Sequence, residues 1–229
     1  PVTCDFGLIN LPVVDAVNAL LESHRSSDIR YRREDVAISL EDAFNRLPPL
    51  SMAKQRRLFV PTRSDWTAYF QSGIDGSDPF PAMSQLARTK SVLAMRVCST
   101  PAGATWSGNI WEVYAPPELG GEEPVGYRRS ICASNDGGRW VFEQSGDPFD
   151  FEDTAAYEAR LKRDRFTLEL LVRYLGEFGI RPFEEDFYVV EKAAPAVLLQ
   201  QTAPVVVSLP EFTLDEVLAG VPWNRESDA

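Results

Sequence analysis

The chain has 229 residues, 44% hydrophobic and 25% charged, with 14 Gly and 17 Pro. That composition is ordinary for a globular domain and excludes collagen-like, low-complexity and wholly disordered classes. The 23 basic and 34 acidic residues give a formal net charge of −11, which argues against a general nucleic-acid binder, because that class needs a basic footprint. The length suffices for a sizeable core, and the expectation is a single domain over residues 1–223 with a polar, fraying tail over 224–229.

Residues 12–23 read as a helix. Val13, Val14, Val17, Leu20 and Leu21 recur at helical spacing, and Pro12 suits the first turn. The basic stretch 25–33 reads as a loop or a short strand. A short helix follows over 39–46, with Ser39 as cap and Pro48-Pro49 as stop. The period then changes. Strands are expected at 57–60 and 66–70, rich in β-branched and aromatic residues. A turn cluster spans 73–79, and a helix runs from Pro79 to Arg88 with Asp78 as cap. Four more strands follow, at 91–98, 106–114, 127–134 and 139–144. The last two are joined by Asn135-Asp136-Gly137-Gly138, whose residues tolerate the positive φ of a tight hairpin. Residues 153–164 read as a helix with Glu158 and Lys162 at i, i+4 spacing. Thr167 caps another, with Leu170, Leu171, Tyr174, Leu175 and Phe178 on its apolar face, Phe166 and Leu171 as staple and Gly179 as stop. A strand is expected at 183–190. Residues 192–210 are apolar and interrupted by proline, with Val205-Val206-Val207 a candidate strand. A capping box at Thr213 to Glu216 opens a short final helix, with Phe212 and Val217 as its staple. The expected class is α+β: a mostly antiparallel sheet of five or six strands with helices packed on one face.

Cys4, Cys98 and Cys132 form no disulfide framework and no CxxC pair, so a reducing compartment is expected, and the reading is cytoplasmic. No basic region followed by an apolar run opens the chain, and the apolar run Ala193–Leu199 is far too short to span a membrane. The only histidine is His24. Its place near a helix end suits a cation at the negative end of the dipole better than catalysis. Neither a cofactor nor a metal is expected. No glycine-rich phosphate loop is present. The segment Thr105-Trp106-Ser107-Gly108-Asn109 resembles a nucleophile elbow but lacks its first glycine, and reads as a bulged or tightly packed strand start. Asp75 with Asp78, and Asp136 with Glu143, are the carboxylate pairs that a hydrolase would use.

Charge is uneven along the chain. Residues 1–100 hold 12 basic and 11 acidic side chains, whereas 101–229 hold 11 and 23. The acidic clusters are Glu143, Asp147, Asp150, Glu152 and Asp153, and Glu184-Glu185-Asp186. They suit a patch for a basic protein partner, where complementary charge speeds association and disfavours wrong partners. Asp75 and Asp78 join them as candidate partner-binding residues. Trp66, Tyr69, Phe70, Trp106, Trp111, Trp140 and Phe142 fall on expected strands. Most suit the core, and an exposed one, with Trp106 the candidate, would be a partner anchor.

Two segments, Phe59-Val60-Pro61-Thr62-Arg63-Ser64-Asp65-Trp66-Thr67-Ala68-Tyr69-Phe70 and Gly137-Gly138-Arg139-Trp140-Val141-Phe142-Glu143-Gln144-Ser145-Gly146 with its continuation to Asp164-Arg165-Phe166-Thr167, resemble a group of bacterial proteins without an assigned reaction. The resemblance spans roughly residues 57–190. Members look like small cytoplasmic immunity partners of polymorphic toxins. The resemblance implies a binding protein that neutralises a basic toxin by occlusion, and it carries over no catalytic residue. The alternatives are a carboxylate-dependent hydrolase and a self-associating scaffold subunit. Neither nucleic acid nor membrane is an expected partner.

Overall fold

The computed structural model describes residues 4–101, 103–104, 106–203 and 209–221. In chain order it forms β1 (Asp5–Ile9), α1 (Val13–Ser23), β2 (Arg30–Val36), α2 (Leu40–Phe44), β3 (Arg56–Pro61), β4 (Thr67–Gln71), α3 (Phe80–Lys90), β5 (Ala94–Thr100), β6 (Gly108–Tyr114), β7 (Tyr127–Asp136), β8 (Arg139–Ser145), α4 (Leu168–Gly176), β9 (Ala196–Ala203) and α5 (Leu214–Leu218). The strand order is β2-β9-β3-β4-β1-β5-β6-β7-β8. The ladders β2–β9, β9–β3, β3–β4, β5–β6, β6–β7 and β7–β8 are all antiparallel. The α+β class holds, but the sheet has nine strands rather than five or six. All six strands expected between 57 and 144 form. The additions are β1, β9 and β2, the last overlapping the basic stretch 25–33 that reads as a loop or a short strand. Among the described residues no helix is long and apolar enough to cross a membrane.

The chain divides into two compact units: Pro1–Phe6 with Leu11–Pro79 and Tyr188–Ala229, and Gly7–Asn10 with Phe80–Phe187. In the first unit, β9 lies between β2 and β3, and its Ala196–Leu199 run is buried. A strand covered on both faces needs no polar alternation, which is why a continuous apolar run is ambiguous in sequence. His24, at the C-terminus of α1, meets the Tyr31 ring at 5.6 Å on one sheet face. Phe44 of α2 meets Phe70 at 4.8 Å on the other. The Ser39 side chain caps α2 by accepting from the Asp42 amide, and Thr213 and Glu216 complete the expected capping box of α5.

In the second unit the register puts Trp111 and Val113 on one face of β6, and Ile110, Glu112 and Tyr114 on the other. Trp111 packs at 5.7 Å from Tyr174 of α4, with Phe149, Phe151 and Phe178 around it. Phe80, the first residue of α3, instead meets Tyr114 at 5.9 Å. Helices therefore lie on both sheet faces in each unit, not on one as expected. The helix expected over 153–164 is replaced by two 3-10 turns, Ala156–Glu158 and Lys162–Asp164, with extended backbone at Ala159 between them. Good helix formers fill this stretch, but it lacks an apolar stripe to pack, and the one large ring, Tyr157, is buried elsewhere. Residues 183–190 are likewise not a strand. They hold a 3-10 turn at Glu185–Phe187 and a single bridge from Tyr188 to Thr62. The chain passes from one unit to the other here, between Phe187 and Tyr188. Val205–Val207 and the tail 224–229 lie outside the described residues.

Candidate functional site

The second unit carries two buried carboxylates, one on each face of its sheet. The first organises the acidic loop after β8. Gly137 and Gly138 take φ of 58° and 95° and close the β7–β8 hairpin, and the Asn135 side chain accepts from the Gly138 amide. At the far end of β8, Gly146 turns the chain at φ 75°, where a Cβ would lie 2.3 Å from the Arg128 carbonyl. No other residue fits that position. Behind this turn, Arg129 and Glu152 form an ion pair with side chains only 1% and 0% exposed. Arg129 Nε donates to both Glu152 oxygens at 2.9 and 3.1 Å, and Nη2 donates to Oε2 at 2.6 Å. Its remaining donors reach the Gln144 side chain and the Ser145 and Gly146 carbonyls. Glu152 also accepts from the Phe149 amide at 2.9 Å and the Tyr157 hydroxyl at 2.7 Å. Burial alone would lower the Arg129 guanidinium, but the hydrogen bonds and charge of Glu152 outweigh it and hold it above its ordinary value. Such a pair offsets its desolvation only when its donors and acceptors are filled, as they are here.

The loop is fixed at further points. Arg128 donates to the Asp147 carbonyl and stacks over Phe149 at 4.5 Å. The Asp153 amide donates to the Tyr174 hydroxyl at 2.8 Å. Asp147 and Asp150 project from this frame into solvent. Asp153 is half-buried, 3.6 Å from Arg173. Glu152, expected in the docking patch, is instead the buried strut beneath it.

The second carboxylate, Glu112, lies on the opposite face of the sheet. It accepts from the Tyr114 hydroxyl at 2.5 Å and faces Tyr127 at 3.4 Å and Arg96 at 3.5 Å. Burial, and then the Glu112 charge, raise both phenols, so they stay protonated as donors. Beyond it Cys98 and Cys132 both pair with Ile110, from opposite sides. Burial raises the Cys132 thiol, which makes it a poor nucleophile. Residues Arg96, Cys98, Ile110, Ser130 and Cys132 of this face are half-exposed, so it is a partly open surface.

The remaining candidates are dispersed. Glu184, Glu185 and Asp186 are exposed, with Arg181 2.6 Å from Glu184 and 4.0 Å from Asp186. Asp75 and Asp78 are exposed in the first unit, and Lys54 sits 3.6 Å from Asp78. Trp106 is 63% exposed, whereas Trp66, Tyr69, Phe70 and Trp111 are buried. Asp136 and Glu143 pair with Arg139 and Cys132. Glu143 lies four residue steps along β8 from Arg139, about 13 Å, too far for two carboxylates to serve one bond. Thr105 of the elbow-like segment lies outside the described residues, and Ser107 and Gly108 make a packed strand start: Ser107 is buried, and a Cβ on Gly108 would lie 2.6 Å from the Ala133 carbonyl. Among the described residues no group of three or more His, Cys, Asp or Glu could hold a metal ion. The charge asymmetry along the chain does not survive folding. Counted by unit, the first holds 11 basic and 17 acidic residues and the second 12 and 17.

The Arg129–Glu152 strut and the Glu112 cluster were missed in sequence, yet each left a trace. Glu112 and Tyr114 are two apart in a strand and so share a face, and Arg128-Arg129 places a charge inward wherever the strand is covered. Comparison with protein-family models, with curated proteins and with solved structures finds no match for the chain.

Proposed function

We propose that the chain is a cytoplasmic binding protein of the immunity type, which neutralises a basic protein partner by occlusion. The observation that carries this reading is the acidic loop of the second unit. Asp147 and Asp150 are exposed on a segment clamped by a buried, saturated ion pair. A charged loop held in one conformation binds with less ordering cost than a free one. Its like charges give a basic partner a steered approach. The exposed Trp106 is an aromatic anchor on the same unit. Glu184 and Asp186 contribute less, because Arg181 already faces both.

The test is capture from the native host at low salt. Recovery of one basic protein that salt releases is expected, and Asp147→Lys with Asp150→Lys should slow its association at least tenfold at low ionic strength, with the defect shrinking as salt rises. A captured partner whose on-rate ignores both substitutions would reject the loop, and capture of no basic protein would reject the reading. A second reading, a carboxylate-dependent hydrolase, rests on Glu112 and the two protonated phenols beside it on the partly open face. Loss of a hydrolytic activity in Glu112→Gln, with binding intact, would favour it.

A further inference from the structure

The two ends of the sheet are built differently. β2, the first edge, carries five charged residues out of seven, with a register shift between Arg30 and Tyr31. Charges and bulges are the usual defences of an edge against pairing with another strand. β8, the last edge, carries two charged residues out of seven and pairs with β7 without irregularity from Asp136↔Arg139 to Ser130↔Ser145. The two-residue turn makes Asp136 and Arg139 a hydrogen-bonded pair. Arg139, Val141, Glu143 and Ser145 therefore turn their backbone groups toward β7, while Trp140, Phe142 and Gln144 turn theirs outward.

The sequence of this edge is complementary to itself. If a second β8 is laid antiparallel and centred on Val141, Arg139 falls opposite Glu143 at both ends, and Trp140 falls opposite Phe142 at both. The outward backbone groups of Trp140 and Phe142 then form the hydrogen-bonded pairs, so the register agrees with the phase that β7 imposes. Arg139 and Glu143 are both exposed and share one face. Centring on Phe142 would place Glu143 opposite Val141, with no charge pair. Centring on Glu143 would oppose like charges. Opposite charges and aromatic pairs across strands each favour pairing, and like charges oppose it.

We propose that β8 is an interaction edge for a second copy of this chain, joined as an isologous antiparallel pair centred on Val141. This does not depend on the acidic-loop reading, since neither Asp147 nor Asp150 lies on β8.

The test is sedimentation equilibrium of the full chain from about 1 µM to about 1 mM. The wild type should show a monomer–dimer equilibrium. Glu143→Arg puts Arg opposite Arg, and Asp136→Asn with Arg139→Glu puts Glu opposite Glu while removing the like-charge pair that Arg139→Glu alone would create within the hairpin. Each variant should weaken dimerisation about tenfold or more while keeping the wild-type circular dichroism. Mixed in equal amounts, they restore Arg opposite Glu at both ends and should form a 1:1 heterodimer about as stable as the wild-type dimer. A wild type that stays monomeric at about 1 mM overturns the proposal. So does a dimer indifferent to Glu143→Arg, or two folded variants that do not pair on mixing. If the Arg139 variant does not fold, the comparison of Glu143→Arg with Glu143→Gln decides. Arg should disrupt pairing clearly more than Gln, and equal behaviour overturns the proposal.

Discussion

Glu112 and Glu152 make a controlled contrast. Both are glutamates with largely buried side chains in the same unit, on opposite faces of one sheet. Glu152 meets a guanidinium that donates to both its oxygens, a backbone amide and a phenol, all within 3.1 Å. Glu112 has one short contact, from Tyr114, and two longer ones at 3.4 and 3.5 Å. Burial of a charge is thus not a functional signature by itself. What separates a strut from an adaptable site is how completely its acceptors are filled.

The largest expected effect tests the strut. Glu152→Gln leaves Arg129 buried without its counter-charge and should cost about 3–5 kcal/mol in urea unfolding. A loss below about 1 kcal/mol would break the contrast. Glu112→Gln keeps an acceptor for Tyr114 and leaves Arg96 partly exposed, so about 1 kcal/mol is expected from the same measurement. An equal loss at both positions would mean that filling of acceptors does not distinguish them.

Alkaline titration sharpens the same contrast. Burial pushes the Tyr69 phenol up to about 12, against about 10 in an unfolded chain. Between those values the folded state keeps a proton that the unfolded state has lost, so stability is full below pH about 10 and falls as pH rises through about 12. Tyr114 and Tyr157 are raised as well, chiefly by burial, with Glu112 and Glu152 adding to it. All three act in one direction. The urea midpoint should hold steady to about pH 9.5 and then drop, and Glu112→Gln should soften the drop by removing the charge that opposes the Tyr114 phenolate. A midpoint that rises above pH 10 would contradict the assignment.

The smallest effects lie at the edges of the comparison. Trp111 Nε1 is the one buried side-chain polar atom without a hydrogen-bond partner among the described residues. Trp111→Phe loses ring volume but relieves that atom, so it should cost less than the 3–5 kcal/mol typical of deleting a large core ring. Asp147→Lys with Asp150→Lys should leave stability within about 0.5 kcal/mol, since both project outward from a frame that other residues hold.

Much of the local structure was legible in the sequence. Ser39, Thr167 and Thr213 cap their helices as their spacing indicates. Gly137 and Gly138 make the hairpin, because few residues tolerate positive φ. These are short-range rules. What escaped depends on partners far along the chain. β1 and β9 are apolar runs whose identity as strands is decided by what covers them. The 153–164 segment has helical composition, but Tyr157 is drawn to Glu152 and Tyr174 instead. The candidate site divides the same way. The exposure of Asp147 and Asp150 follows from a polar loop, whereas the inversion of Glu152 from surface charge to strut requires Arg129, 23 residues earlier.

The insertion of β9 between β2 and β3 sets a timetable for synthesis. Arg32 bonds Gln200 across 168 residues, and everything in the Phe80–Phe187 segment leaves the ribosome before β9 does. At 5–20 residues per second, β3 is exposed for roughly 7–30 s before the strand that belongs beside it is made. For that interval the nascent chain presents two unzipped strand edges while the Phe80–Phe187 segment is being made. A holdase that shields exposed strand edges therefore matters most for β2 and β3. A ribosome stalled before Ala196 leaves β2 and β3 without the strand that joins them.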